Sequence, residues 1–228
     1  MPSLFVTGTD TRARKTLASC TVLHALRARG LRAVGMKPVA SGCEATDDGW
    51  RNADALALWR ASEPKPAYAD LNPFALPEPL APELAARLAG VDVSLAPILA
   101  AYARLEAQAD AVVVEGVGGW AAPLSATLDQ RDLVRALGLP VVLVVGLRLG
   151  CLNHARLSAD AILADGCTLV GWIASAVDPD MACRDENLAL LDMRLPAPRL
   201  GYLPYARDPE PQSLAGAMVL PWIDGAGG

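Results

Sequence analysis

The 228 residues contain only two histidines, His24 and His154, and five cysteines, none of which form a CxxC pair. Zinc sites and disulfide frameworks need clusters of those residues, so neither is expected. A long apolar run is also missing. Hydrophobic residues make up 53% of the chain and mean hydropathy is +0.28, but the most apolar stretch, Leu139 to Val145, falls far short of the ~20 residues that cross a bilayer. The apolar excess is expected in a buried core, with no membrane partner. Basic charge is not in surplus either: 20 Lys and Arg against 25 Asp and Glu leave a net charge of −5. With the two signs interspersed, this gives no bulk attraction to nucleic acid. The opening MPSLFVTG has neither the basic segment nor the long apolar segment of a secretory signal, which points to a cytoplasmic location.

What the chain does have is alternation of strand and helix patterns. Short runs at Leu4 to Thr7, Ala33 to Lys37, Ala111 to Glu115, Val141 to Val145, Leu169 to Ala174 and Arg199 to Leu203 have β character, and most are continuously apolar, as buried parallel strands are. Helical stretches lie between them: Thr16 to Arg29, Pro82 to Leu88, Leu95 to Gln108, Leu128 to Ala136, Asn153 to Asp165 and Arg184 to Asp192. Gly30, Gly138 and Gly166 follow three of these, where a left-handed C-terminal cap is wanted. The pattern predicts one α/β domain over residues 1–220, with a mostly parallel sheet covered by helices on both faces. The Pro-rich segment Glu63 to Pro82 reads as a long functional or mobile connection. Residues 221–228 read as a frayed, flexible tail.

The first strand runs into Gly8-Thr9-Asp10-Thr11-Arg12-Ala13-Arg14-Lys15-Thr16 and then into a helix. Strand, tight loop, Lys-Thr and helix form the P-loop arrangement of nucleoside triphosphatases. Backbone N–H groups and the positive end of the helix dipole cradle phosphate, Lys15 reaches the β/γ-phosphates and the Thr16 hydroxyl ligates Mg²⁺. The residue before the lysine should be glycine, because the backbone turns tightly there; this chain has Arg14. A basic, solvated strand–helix turn is the competing interpretation of the loop taken alone.

Further segments carry a resemblance. Phe5 to Thr11, Lys15-Thr16, Gly35-Met36-Lys37-Pro38-Val39-Ala40-Ser41-Gly42, Asn52 to Leu56, Val114-Glu115-Gly116-Val117-Gly118-Gly119-Trp120 and Leu149 to Ala155 together resemble the dethiobiotin synthetases, in order, from about residue 4 to 210. The resemblance implies a ligase that carboxylates 7,8-diaminopelargonic acid with CO₂, phosphorylates the carbamate from ATP and closes a ureido ring. It implies Lys15 and Lys37 as the catalytic cations, and Thr16, Asp54 and Glu115 as the residues on the Mg²⁺ side. Nucleotide contacts are implied for Thr11, Arg12, Ala13, Arg14, Lys15, Thr16, Asp54, Glu115, Gly118, Ser175, Pro204, Tyr205, Ala206 and Glu210. Ser41 resembles a substrate-contacting serine. Gly150, Cys151, Leu152 and Asn153 resemble a helix start that takes the substrate's carboxylate tail across a homodimer interface.

The chain departs from that family at four places. Arg14 replaces the loop glycine; Ser175 stands where an adenine-reading Asn is common; Glu83 follows a proline where a histidine often does; and the loop Pro204 to Glu210 is one residue shorter. Arg14 opens an alternative, a catalytically impaired or non-enzymatic relative that binds nucleotide weakly. Retention of Lys15, Thr16, Lys37, Asp54 and Glu115 favours the active ligase. A partitioning-type ATPase would carry a terminal basic amphipathic helix, which this chain lacks. A different amide- or urea-forming ligase of the same fold is separated only by substrate.

Overall fold

The computed structural model describes residues 3–224. Six parallel strands form its central sheet: β1 Leu4–Gly8, β2 Ala33–Met36, β3 Ala111–Glu115, β4 Val141–Leu147, β5 Leu169–Ala176 and β6 Arg199–Leu203. Their spatial order is β6-β5-β4-β1-β3-β2. The register places Leu4 against Val113 and Phe5 against Val141. The apolar runs lack alternation because both faces are buried. Leu4, Val6, Val113, Val142 and Val144 face one core; Phe5, Val112, Val114, Leu143 and Val145 face the other.

Helices α1 Lys15–Ala28 and α2 Ala53–Ala61 cover the first face. Helices α3 Leu95–Glu106, α4 Gln130–Leu137, α5 Cys151–Ala164 and α6 Arg184–Arg194 cover the second. The glycines expected as caps, Gly30, Gly138 and Gly166, all have positive φ, at 85°, 65° and 75°. Strands β2 and β3 lie on one side of β1, and β4, β5 and β6 on the other. The carboxyl end of β1 is therefore the crevice where the chain reverses direction, the place where open α/β sheets bind ligands.

The connection from Glu63 to Pro82 is ordered. It holds a helical turn, Tyr68–Leu71, and a short strand, Phe74–Leu76, paired in parallel with Val39–Ser41. Its Leu71 carbonyl accepts from Lys37 N at 2.7 Å, and Asn72 Nδ2 donates to Lys37 O at 2.7 Å. The segment thus satisfies the backbone of Lys37 where β2 ends, a requirement for buried peptide groups. A hairpin, Glu44–Thr46 with Gly49–Arg51, stands outside the main sheet. The segment expected as a tail from Pro221 onward begins with a helical turn, Pro221–Asp224, and Trp222 and Ile223 pack against the first-face core. Residues 225–228 of that expected tail lie outside the described residues. No helix among the described residues is long and apolar enough to cross a membrane.

Gly35 lets α2 lie close on β2. A Cβ there would stand 2.8 Å from Leu58 Cβ, and Gly35 N donates to Ser62 Oγ at 2.8 Å. Gly35→Ala is expected to push α2 outward and destabilise the protein by about 1–3 kcal/mol. Urea unfolding measures this, and an unchanged midpoint would show that α2 has no need of so close an approach.

Candidate functional site

The site forms at the carboxyl ends of β1, β2 and β3, around a carboxylate with no exposure. Glu115, the last residue of β3, is 0% exposed. Its Oε1 accepts from Lys37 Nζ at 2.6 Å and from Thr16 Oγ1 at 2.9 Å. Lys37 Nζ also reaches Gly116 O at 3.0 Å and Asp54 Oδ2 at 3.4 Å. Burial pulls the Lys37 pKa down, but Glu115 and Asp54 outweigh it and hold the ammonium above its ordinary value.

Asp54 reaches this point because Asn52 caps α2. Asn52 Oδ1 accepts from Asp54 N at 3.0 Å and Ala55 N at 3.2 Å, while its Nδ2 donates to Ser41 O at 3.2 Å. One side chain thus fixes both the helix start and the Ser41 turn. Asn52 was not among the site residues expected from the sequence. The signal was present: an Asn directly before an apolar segment whose first turn carries an acid, here Asp54, is an N-cap signature.

Lys15 opens α1 and is 5% exposed. Its Nζ donates to Gly118 O at 2.7 Å and Asp10 O at 3.1 Å. Among the described residues no carboxylate bonds to it directly. Burial, and then the neighbouring Lys37 charge, push its pKa down to about 8. Gly118 adopts φ 62°, which turns its carbonyl onto the lysine. The Gly116–Gly119 loop is held from behind by Gln130, whose Oε1 accepts from Val117 N at 2.6 Å and whose Nε2 donates to Gly119 O at 2.8 Å. No local pattern marks Gln130, because its role depends on the packing of α4 against the loop.

A cavity of about 530 Å³ gathers Thr11, Arg12, Arg14, Lys15, Thr16, Lys37, Ser41, Asn52, Asp54, Glu115 and Gly118. A second, of about 480 Å³, adjoins it through Arg12 and Arg14 and is bounded by Arg148, Val177, Asp178, Pro179 and Tyr205. Arg148 pairs with Asp10. Both Arg148 and the 177–179 wall were missed from the sequence. Ala13 is 1% exposed and packs beneath the loop. Pro204 and Ala206 belong to the loop beside Tyr205, and the exposed Glu210 stands just before the short helix Pro211–Leu214 without a side-chain cap bond.

Some expected residues stay apart from these cavities. Ser175 is 0% exposed within β5, its Oγ has no hydrogen-bond partner among the described residues, and it lines neither cavity. Gly150, Cys151, Leu152 and Asn153 form the start of α5 and line neither cavity within one chain.

Arg14 answers the objection raised by its type. It takes φ 63° and ψ 44°, the left-handed conformation that glycine adopts freely. For an L-residue this costs roughly 1–2 kcal/mol. Its side chain reaches the loop after β6, where Nη2 donates to Ala206 O at 3.1 Å. The glycine-like backbone is kept, and the side chain is anchored at Ala206 while still lining the cavity of Lys15.

The donor set also bears on a divalent cation. The Thr16 hydroxyl, Glu115 and the half-exposed Asp54 converge, and Glu115 Oε2 has no hydrogen-bond partner among the described residues. Among those residues no group of three or more His, Cys, Asp or Glu is placed to hold a metal unaided. Two carboxylates, a hydroxyl and phosphate oxygens from a ligand are the donors Mg²⁺ prefers, so the residues fit that ion with nucleotide present.

Comparisons with known proteins agree with this geometry. The chain matches the AAA domain family over residues 2–213. It is 64% identical over 220 residues to the ATP-dependent dethiobiotin synthetase BioD of Xanthomonas oryzae pv. oryzae (strain PXO99A), covering 96% of this chain and 98% of that one. It is 65% identical over 205 residues to the protein of the same name from Xylella fastidiosa (strain 9a5c), covering 90% and 91%. Among solved structures, the MinC:MinD cell division protein complex of Aquifex aeolicus superposes with a TM-score of 0.56 at 12% identity, over 91% of this chain and 83% of that one. The signal recognition particle receptor FtsY of Elizabethkingia anophelis gives 0.51 at 13%, over 93% and 61%. At such identities these two show the fold alone. A parallel sheet with a lysine-bearing loop at its crevice, and near full-length identity above 60% to the named enzymes, place this chain in the dethiobiotin synthetase family.

Proposed function

We propose that this protein is the ATP- and Mg²⁺-dependent ligase that carboxylates 7,8-diaminopelargonic acid with CO₂ and closes the ureido ring to dethiobiotin, releasing ADP and phosphate. The observation that carries the reading is the convergence of Lys15, Lys37, Thr16, Asp54 and Glu115 on one cavity, in a chain of this family. Phosphoryl transfer to a carbamate gathers negative charge on the γ-phosphoryl oxygens and on the attacking oxygen, so fixed cations are the main catalytic need. Lys37 is already charged and anchored between Glu115 and Asp54. Among the described residues Lys15 donates only to carbonyl oxygens, which a phosphate can replace as acceptor. Mg²⁺, held by Thr16, Asp54 and Glu115, would neutralise phosphate charge when bound.

Ser41, whose turn Asn52 ties to α2, faces the same cavity and serves the amine substrate. Gly150 to Asn153 contribute from a second copy: at the start of α5 the Cys151 N–H already donates to Arg148 O, and the following Leu152 and Asn153 N–H groups suit a carboxylate, with Leu149 just before the helix and Leu157 within it at 95% and 61% exposure. A homodimer working in the cytoplasm is the corresponding assembly and location.

A coupled ADP-release assay with the diamine, bicarbonate and Mg-ATP tests the reading. ADP is expected only when the diamine is present, and chelation of Mg²⁺ is expected to abolish it. Diamine-independent ADP release, or none at all, would remove the ligase assignment. Lys37→Ala is expected to lower kcat by roughly 100-fold or more. Because it also strands Glu115 without its partner, the same variant is expected to lose about 3–5 kcal/mol of stability, seen in urea unfolding. Turnover within a few-fold of the parent would take Lys37 out of the chemistry.

Lys15 gives a pH prediction. In the free protein its pKa is pushed down to about 8, and a bound polyphosphate favours the ammonium and raises that value. Between the two values, binding must therefore take up protons, and affinity must fall as pH climbs above 8. Calorimetry of a non-hydrolysable ATP analogue in buffers of different ionisation enthalpy is expected to show uptake at pH 8.5 and almost none at pH 7. Equal proton exchange at both pH values would refute this account of Lys15.

A further inference from the structure

Arg14 lies on the wall shared by the two cavities. A nucleotide with its phosphates on the Lys15 loop and its nucleoside beside Tyr205 has to pass this side chain. A non-glycine residue in the left-handed region persists only where its surroundings fix it. Here the fixing contact is visible: Nη2 donates to Ala206 O at 3.1 Å, across 192 positions of sequence. Among the described residues, no other hydrogen bond ties residues 205–209 to the rest of the chain. A guanidinium has five N–H donors in a planar fork, so the bond to Ala206 leaves an edge free for a phosphate oxygen pair.

Resting on the nucleotide reading above, we infer that Arg14 is a positioning residue for the nucleoside triphosphate. It clasps loop 205–209 against the phosphate loop and presents its remaining donors to the phosphate chain where that chain crosses between the cavities. The phosphate loop itself supplies backbone N–H groups and Lys15. Arg14 adds a cation on the nucleoside side and closes the second cavity at its loop edge. The strain in its backbone is offset by this clasp, so the residue that departs from the usual loop pattern serves binding.

The test is nucleotide affinity without the diamine, measured by calorimetry with ADP and with a non-hydrolysable ATP analogue plus Mg²⁺. Amide hydrogen exchange over residues 204–210 is followed in the same proteins. Arg14→Gly relaxes the left-handed backbone while removing the clasp, Arg14→Asn keeps a residue that tolerates that backbone but carries no charge, and Arg14→Lys keeps the charge without the fork. Arg14→Gly and Arg14→Asn are expected to bind roughly 10-fold or more weakly, the scale of one lost charge-assisted hydrogen bond. Both are expected to exchange faster at 205–209 and to raise KM for ATP with KM for the diamine unchanged. Arg14→Lys is expected to recover part of the affinity and none of the protection. Parent-like affinity and exchange in both the glycine and asparagine variants would overturn the inference. If the parent binds no adenine nucleotide, this inference and the nucleotide reading fall together. Tight, Arg14-dependent binding without diamine-dependent ADP release would sink only the ring-closing reaction and leave the clasp standing.

Discussion

The buried charge of Glu115 is the constraint around which the other site residues are arranged. An uncompensated carboxylate in a low-dielectric interior is expensive, and a pair survives there only with close geometry and further hydrogen bonds. Lys37 supplies the charge at 2.6 Å and Thr16 a hydroxyl at 2.9 Å. Those three residues come from the end of β3, the end of β2 and the first turn of α1. Meeting the electrostatic need of one carboxylate therefore fixes the positions of three elements at the mouth of the cavity. The two lysines fare differently as a result. Lys37, between two carboxylates, is held above its ordinary value, whereas Lys15, hydrogen-bonded to carbonyls, is pushed down to about 8 by burial and the Lys37 charge.

Holding that geometry takes parts of the chain that carry no chemistry. The Leu71 carbonyl and the Asn72 amide clamp the backbone of Lys37. Asn52 joins the Ser41 turn to the start of α2, and Gln130 props the glycine-rich loop whose Gly118 carbonyl receives Lys15. Each satisfies a buried polar backbone group and at the same moment aims a functional one. The site is thus preorganised by the same hydrogen bonds that the folded chain requires.

The left-handed Arg14 belongs to the same economy of form. Its glycine-like φ of 63° shows that the loop geometry outranks the preference of the residue type. Its side chain, directed to Ala206, links the phosphate loop to the connection after β6. The strained position and the clasp lie on one residue, at the boundary between the two cavities.

The sheet was legible in the sequence because a strand buried on both faces must be apolar throughout. Leu4 to Thr7 and Ala111 to Glu115 correspond to β1 and β3 to within a residue, while the edge strand β6, with an exposed Arg199, shows the pattern less fully. Helix ends were legible at Gly30, Gly138 and Gly166, where only the left-handed conformation closes the cap. Strand, loop, Lys-Thr and helix likewise announced a phosphate loop, since its physics is local to nine consecutive residues. What only tertiary structure decided involves residues far apart in sequence. The pairing of Lys37 with Glu115 spans 78 positions and that of Arg14 with Ala206 spans 192. The ordering of the Glu63 to Pro82 connection and the roles of Gln130 and Arg148 are of the same kind. Local pattern reports backbone preference and burial; which side chains meet depends on strand order and helix packing, and these are properties of the whole chain.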